Sequence, residues 1–208
     1  MSPLRLFAVS ALDGHGDHAP VSGTSVVTFR DLGAVVTEIA NARSAESAAD
    51  LDEHRRVVDG VFYHGAVLPA PPGIAFRSKE VLMRWLELHY VTLSDALGFV
   101  EGRVGARVHV MRSSESSPLA ETAESPGDIA AISAGSFRVL RRHAVASVPL
   151  KVEHETDVIA SAAFLVERDR WQVFSDVVKE EDRRLPDLTY EVTGPWPPYD
   201  FVRMQFGG

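Results

Sequence analysis

LPAPPGIAF, residues 68–76, is the stretch of sequence that organises the first half of the chain. Its three prolines and one glycine exclude a helix, because proline lacks the backbone N–H that a helix needs and holds φ at roughly −65°. The stretch is therefore predicted to be an extended, stiffened crossing with few hydrogen bonds to neighbouring strands. Leu68, Ile74 and Phe76 are apolar, so we expect the crossing to lie against a hydrophobic core.

A helix is predicted on each side of this crossing. The first can be capped by Ser44 or Ser47 and ends at Gly65, and its apolar residues recur at helical spacing at Leu51, Val58, Val61 and Phe62. The second has Ser78 at its N-cap and ends at Gly102. Its wide apolar stripe comprises Val81, Leu82, Trp85, Leu86, Leu93, Leu97 and Val100.

The rest of the chain alternates between strands and helices. Before the crossing, Leu4–Ala11 is predicted to be a buried strand, and Ser25–Phe29 and Ala34–Ile39 a hairpin. Beyond residue 102 the order is strand, helix, strand, helix, strand, at Val104–Met111, Asp128–Val145, Asp157–Val166, Arg168–Arg184 and Leu188–Val192. The polar stretch Ser113–Pro126 is interpreted as a solvated loop.

This pattern predicts an α+β protein of two small domains. The N-terminal α+β domain spans residues 1–102, and the C-terminal domain, residues 103–193, has the rhythm of a ferredoxin-like unit with one strand fewer. Residues 194–208 are predicted to form an extended tail, rich in proline and aromatic residues, that packs back on the N-terminal domain.

Composition excludes several classes of protein. The net charge of the 208 residues is −8 at pH 7, which argues against binding to nucleic acid or to an anionic membrane surface. The chain contains no cysteine, so disulfides, thiolate metal sites and cysteine nucleophiles are ruled out. Neither a signal peptide nor a stretch of about 18 apolar residues is visible, and we expect a cytoplasmic protein.

No catalytic, cofactor or metal motif is recognisable. A Gly-x-Ser-x-Gly elbow, a phosphate-binding loop and a Gly-x-Gly-x-x-Gly turn are all missing from the sequence. The turn containing Asp13, His15, Asp17 and His18 is interpreted as a polar surface turn. Five further histidines (His54, His64, His89, His143 and His154) are interpreted as partly exposed or core-edge residues, not metal ligands, and Glu180-Glu181-Asp182 is interpreted as a solvated helix end. We expect no enzyme activity and no cofactor.

The proline-rich closing segment allows two interpretations. Prolines restrict φ, so the segment can present Trp196, Tyr199 and Phe201 to a partner in a set geometry. Alternatively these aromatic side chains dock on the protein's own core, which is favoured because a free Trp-Pro-Pro-Tyr tail would be sticky. The residues expected to bind a partner or to dock the tail are Leu68, Pro69, Gly73, Phe76, Trp85, Gly194, Pro195, Trp196, Pro197, Pro198, Tyr199 and Phe201.

Both proline-rich segments resemble those of the gas vesicle protein L/F family. Residues 68–76 are similar to its Leu-Pro-x-x-x-Gly-x-x-Phe crossing, which joins a helix carrying a histidine, here His54, to a long amphipathic helix. Residues 193–201 resemble its closing Thr-Gly-Pro-Trp-Pro-Pro-Tyr-x-Phe. The chain departs from the family's pattern in its first strand, before the strand at Val104, and in a shorter middle region.

The resemblance implies a non-enzymatic accessory protein of gas vesicles, without a cofactor. It implies two α+β domains, the second ferredoxin-like, and a tail that returns to the first. The implied partners are the small hydrophobic shell protein, whose assembly the protein assists, and other accessory proteins. Two alternatives stay open: a small-molecule-binding or catalytic ferredoxin-like protein that uses the cleft between the halves, and an adaptor that displays its proline-rich tail.

Overall fold

A computed structural model describes residues 2–12, 21–40, 47–113, 126–152 and 157–202. The predicted turn with Asp13, His15, Asp17 and His18, the alternative cap Ser44, His154 and nearly all of the Ser/Glu-rich loop lie outside the described residues. The described chain divides into two compact units. Residues 2–102 and 197–202 form the first unit, and Arg103–Trp196 belong to the second.

The first unit is built on one antiparallel sheet with two helices. Its elements are β1 (Leu4–Ala11), β2 (Ser25–Phe29), β3 (Leu32–Glu38), α1 (Ala48–His64), β4 (Val67–Pro69), β5 (Ala75–Phe76) and α2 (Lys79–Val100). The strand order is β2-β3-β1-β4, and β5 also pairs with β1. Three strands, β3, β4 and β5, therefore pair with β1.

Side chains on both faces of β1 are buried, which explains why its sequence is nearly continuously apolar. Phe7 contacts His54 of α1, with ring centroids 5.6 Å apart. Leu6 and Val9 belong instead to a core shared with α2, whose buried members include Leu4, Leu32, Val36, Leu68, Phe76, Leu82, Trp85, Leu86, Leu93, Leu97 and Val100. The pairing of β1 with β3 shifts register between Leu6 and Ala8, so Phe7 lies at a bulge.

The start of α1 is set by a capping box. The Ser47 hydroxyl accepts from the backbone N–H of Asp50, and the Asp50 carboxylate accepts from the backbone N–H of Ser47. The prediction that Leu51 belongs to the core is wrong. Leu51 is exposed, because the buried face of the helix contains His54 and Val57 instead.

The second unit contains one antiparallel sheet and two helices. Its elements are β6 (Arg103–Arg112), α3 (Pro126–Leu140), β7 (Ala146–Pro149), β8 (Val158–Glu167), α4 (Trp171–Arg184) and β9 (Leu188–Trp196). The strand order is β7-β8-β6-β9, and the elements follow one another as β-α-β-β-α-β. Phe164 of β8 packs between Phe137 of α3 and Phe174 of α4.

Three sequence-based predictions for this unit are corrected. The helix predicted to reach Val145 ends at Leu140, and the strand β7 follows it. β7 has only four residues, ends in proline and lies at the edge of the sheet. A strand this short cannot be recognised from an alternating pattern of apolar and polar residues. β9 continues to Trp196 instead of ending at Val192, since an edge strand tolerates Pro195. Glu181 is buried and pairs with Arg184, so the acidic run is not wholly solvated.

Candidate functional site

The proline-rich crossing is part of the sheet of the first unit. Ala8 lies opposite Pro69 and Leu4 opposite Phe76, so both ends of the crossing pair with β1. The backbone N–H of Ala70 donates to the carbonyl oxygen of Phe7, and that of Leu6 donates to Ile74, each at 2.9 Å. The prediction that prolines would prevent most of this bonding is wrong, because Pro69 lies in the edge strand β4, where its missing N–H costs little.

Most candidate residues of the crossing lie in the core. Leu68, Pro69 and Phe76 are buried, and the Phe76 ring lies 5.5 Å from that of Trp85. Gly73 lies at the exposed tip between β4 and β5 with a φ of 82°, a conformation that favours glycine. This set therefore shapes the fold, and only the tip at 71–73 is presented to solvent.

His54 ties α1 to the crossing. Its Nε2 lies 2.9 Å from the carbonyl oxygen of Ala70, whereas its buried Nδ1 has no hydrogen-bond partner in the described part of the chain. Nε2 therefore carries the proton and donates it to Ala70. Burial lowers the pKa of His54, and the nearby Arg5 lowers it further, while the hydrogen bond to Ala70 acts in the opposite direction.

The neighbouring acid Asp50 is held ionised. Hydrogen bonds from Ser47 and then the contact with Arg5 lower the pKa of Asp50 to about 2. The guanidinium of Arg5 lies 2.8 Å from the Asp50 carboxylate and 3.4 Å from that of Glu53. These charges join the start of α1 to β1 and so support the position of His54.

His54 is expected to make the protein less stable in mild acid. Below about pH 6.5 the unfolded chain takes up a proton at this histidine, but the folded chain resists it, so the free energy of unfolding falls as the pH falls. Urea denaturation between pH 8 and pH 5.5 measures this slope. His54→Gln, whose amide can still donate to Ala70, should flatten it.

The matched control for that measurement is His64→Gln, at the exposed end of the same helix. This variant should keep the slope of the parent. If His54→Gln and the parent lose stability equally between pH 7 and pH 5.5, the protonation of His54 does not oppose folding.

The closing motif is divided between two elements. Gly194, Pro195 and Trp196 belong to β9, and Trp196 lies opposite Gly105 of β6. The expectation that the tail begins at residue 194 is corrected, because β9 extends to Trp196, which pairs with β6 after a register shift. Gly194 has a φ of 136°, and a Cβ at this position would lie 2.8 Å from the carbonyl oxygen of Gly105.

Trp196 is not deeply buried. Its side chain is 43% exposed, and its indole N–H donates to the Thr193 hydroxyl at 3.2 Å. The predicted burial of this tryptophan as a docked tail residue is therefore wrong: its position in β9 leaves much of the ring exposed.

Residues 197–202 belong to the first unit. Pro197 and Pro198 are buried, and Tyr199 and Phe201 are half-buried in a short 3₁₀ turn. Val202 packs against the core that α2 shares with β1. The structure thus brings Val202, which directly follows the closing motif, to the core that also contains Phe76 and Trp85.

The sequence pattern did not predict that α2 has a second, exposed apolar face. Val81 was predicted to lie in the core, but it is 48% exposed, and Leu88, Val91 and Phe99 are 77%, 68% and 42% exposed. The sequence does contain the pattern of this face, since these four residues recur at helical spacing. Helical periodicity does not indicate which of two apolar faces is buried.

A serine and a histidine in the second unit lie within hydrogen-bond distance of each other. The Ser161 hydroxyl lies 3.0 Å from Nδ1 of His109, between neighbouring strands β8 and β6. No carboxylate among the described residues bonds to this histidine, so the pair lacks the third member of a catalytic triad.

Metal sites and membrane spans are not found within the ranges that the structure describes. There, no three His, Asp or Glu side chains are grouped to hold a metal ion, and none of the helices combines the length and the apolar character that a membrane span needs.

Comparison with known proteins gives consistent matches along the chain. The family model described as gas vesicle synthesis protein GvpL/GvpF matches residues 6–136 and 129–203. Gas vesicle protein F2 of Halobacterium salinarum is 31% identical over 191 residues, which cover 87% of this chain and 81% of that protein. Gas vesicle protein F of Haloferax mediterranei is 27% identical over 190 residues, covering 87% and 82%.

Solved structures show the same fold. The crystal structure of the gas vesicle protein GvpF from Anabaena sp. PCC7120 matches with a TM-score of 0.81 and 17% identity, over 100% of this chain and 99% of that one. GvpF from Microcystis aeruginosa matches with a TM-score of 0.77 and 14% identity, over 98% and 100%. At these identities the likeness establishes the fold alone.

Proposed function

This chain belongs to the gas vesicle GvpL/GvpF family, and we propose that it is a non-enzymatic accessory protein that binds the hydrophobic shell protein and assists vesicle assembly. The observation that carries the proposal is the family match over nearly the whole chain. The protein acts at gas vesicles in the cytoplasm, where other accessory proteins are further partners. The Ser161–His109 pair, which lacks a carboxylate partner among the described residues, gives no support to catalysis.

We also propose an assignment of the domains. Residues 103–193 form the core of a ferredoxin-like domain, which is supported by the element order β-α-β-β-α-β. Residues 1–102 form the N-terminal domain. The chain after Trp196 packs back on it, and the contact of Val202 with the core of the first unit supports this assignment.

We assign shell-protein binding to a surface that includes Trp196. Of the candidate residues, Leu68, Pro69, Phe76 and Trp85 are buried, which leaves them unavailable to a partner. Trp196 combines a large apolar ring with 43% exposure, and half-exposed tryptophans are frequent anchors at interfaces. Pro195 before it and Pro197 after it restrict the backbone and lower the entropy lost on binding.

Co-purification tests the proposal. Tagged protein co-expressed with the gas vesicle shell protein should capture it, and capture should weaken only modestly between about 0.1 and 1 M NaCl, because apolar contacts are little screened by salt. Trp196→Ala should reduce capture about tenfold or more, as expected for an interface anchor. The matched control is Val173→Ala, a change at an exposed apolar residue outside the motif.

A deletion strain provides a second test of the proposed function. Cells that lack this protein should form few vesicles or none by electron microscopy, and the parent gene should restore them. Normal vesicles in the deletion strain, together with no enrichment of shell protein over an untagged control, would refute the proposed function.

A further inference from the structure

The helix α2 has an exposed apolar face in addition to its buried one. At about 100° per residue, Val81, Leu88, Val91 and Phe99 fall within an arc of about 80° on the helix. That arc is centred roughly 150° from the buried row of Leu82, Leu86, Leu93, Leu97 and Val100. Large apolar side chains gathered on one exposed face mark an interaction surface more often than isolated ones do.

This face is self-complementary. When two identical helices pair antiparallel about a two-fold axis, residues equally spaced on either side of the axis face each other in the two copies. Val81 and Phe99 are equally spaced about residue 90, and Leu88 and Val91 flank nearly the same point. An axis there places Val81 against the second copy's Phe99 and Leu88 against the second copy's Val91.

The two charged residues on the face follow the same symmetry. Arg84 and Asp95 are exposed, lie on the same arc, and are spaced almost equally about residue 90. Neither forms an ion pair with another residue that the structure describes. Antiparallel pairing brings each Arg84 to the second copy's Asp95, twice per dimer, whereas parallel pairing in register would oppose like charges.

We propose that a second copy of this chain covers the exposed face of α2 in an antiparallel, two-fold symmetric helix pair. This inference goes beyond the proposed function and does not depend on it. A 22-residue helix is about 33 Å long, so a single helix pair buries an area near the low end of stable interfaces. The dimer is therefore reversible, with a dissociation constant on the order of micromolar.

Sedimentation of the full chain tests the dimer. Between about 1 and 200 µM, concentrations that bracket a micromolar constant, the weight-average mass should rise from one chain toward two. Leu88→Glu, at the most exposed apolar residue of the face, should hold the protein as a monomer throughout. Val173→Glu, at an exposed apolar residue on α4, should dimerise like the parent.

A charge swap tests the register of the pair. Arg84→Glu alone and Asp95→Arg alone each place like charges together and should weaken the dimer about tenfold. The double variant restores opposite charges and should recover the parent's dissociation constant. The proposal is overturned if the protein stays monomeric up to 200 µM. It is also overturned if Leu88→Glu does not weaken the dimer, or if the double variant dimerises no better than the single variants. If the parent is monomeric but Leu88→Glu loses capture of the shell protein, the face serves that partner instead.

Discussion

Replacing Trp85 with alanine should lower the free energy of unfolding by about 3–5 kcal/mol, the usual cost of truncating a large buried aromatic side chain. Trp85 is 9% exposed, and its ring contacts those of Phe76 and His89 at 5.5 and 5.2 Å. Truncation leaves a cavity between α2 and β5 and removes these ring contacts. A loss of this size is a large share of the ~5–15 kcal/mol that stabilises a typical domain.

The matched comparison for Trp85 is Trp196→Ala. Because the Trp196 ring is 43% exposed, its truncation should cost only about 1 kcal/mol. Urea denaturation followed by far-ultraviolet circular dichroism measures both variants, and the parent provides the reference. Equal losses in the two variants would contradict the assignment of Trp85 to the core and of Trp196 to an interaction surface.

Alanine at Gly194 should lower the free energy of unfolding by about 2–6 kcal/mol. Its φ of 136° is strained for any residue with a side chain, which costs about 1–3 kcal/mol. In addition, a Cβ would lie 2.8 Å from the Gly105 carbonyl oxygen and 2.8 Å from the Trp171 ring. The rigid backbone of β6 cannot yield to this contact as a flexible side chain could, and overpacking adds about 1–3 kcal/mol.

Gly135→Ala is the control for Gly194. It introduces the same methyl group in the same unit, but in the helix α3 and with no described atom within 4 Å of the new Cβ. It should stabilise the protein by up to about 1 kcal/mol, since alanine favours a helix over glycine. Thermal unfolding of the two variants should therefore shift in opposite directions. A Gly194→Ala variant that melts at the parent's temperature would show that the strand accommodates a side chain there.

Together these variants separate two roles within the closing motif. Gly194 lets β9 approach β6 and Trp171 closely, which is a structural role. Trp196 follows two residues later with an exposed ring, which suits a partner. If both variants behave as expected, the closing motif serves folding through Gly194 and recognition through Trp196.

Local sequence signals were sufficient for the main elements. The nearly continuous apolar run at Leu4–Ala11 marked β1 with its correct bounds, and Ser78 marked the start of α2. The start of α1 was predicted at Ser44 or Ser47, and Ser47 is the cap. These signals are reliable because a buried strand needs apolar residues and a helix start needs a side-chain acceptor for its free N–H groups. The two proline-rich segments were sufficient to indicate the family.

Other features depend on partners that are distant in sequence. Whether Pro69 can lie in a strand depends on that strand being at the sheet edge, and whether β9 reaches Trp196 depends on Gly105 lying opposite. β7 exists because β8 offers it a free edge. His54 was expected to be partly exposed or at the core edge, but the position of Ala70 and the packing of Phe7 made it a buried hydrogen-bond donor.

The sequence by itself therefore determined the α+β class, the positions of most helices and strands, and the family. Those properties follow from periodicity, capping and motif, which are local along the chain. Only the tertiary structure decided which of the two apolar faces of α2 is buried, and that Trp85 lies inside while Trp196 is exposed. The physical reason is that burial is a property of what packs against a side chain, and residues far apart in the sequence supply that packing.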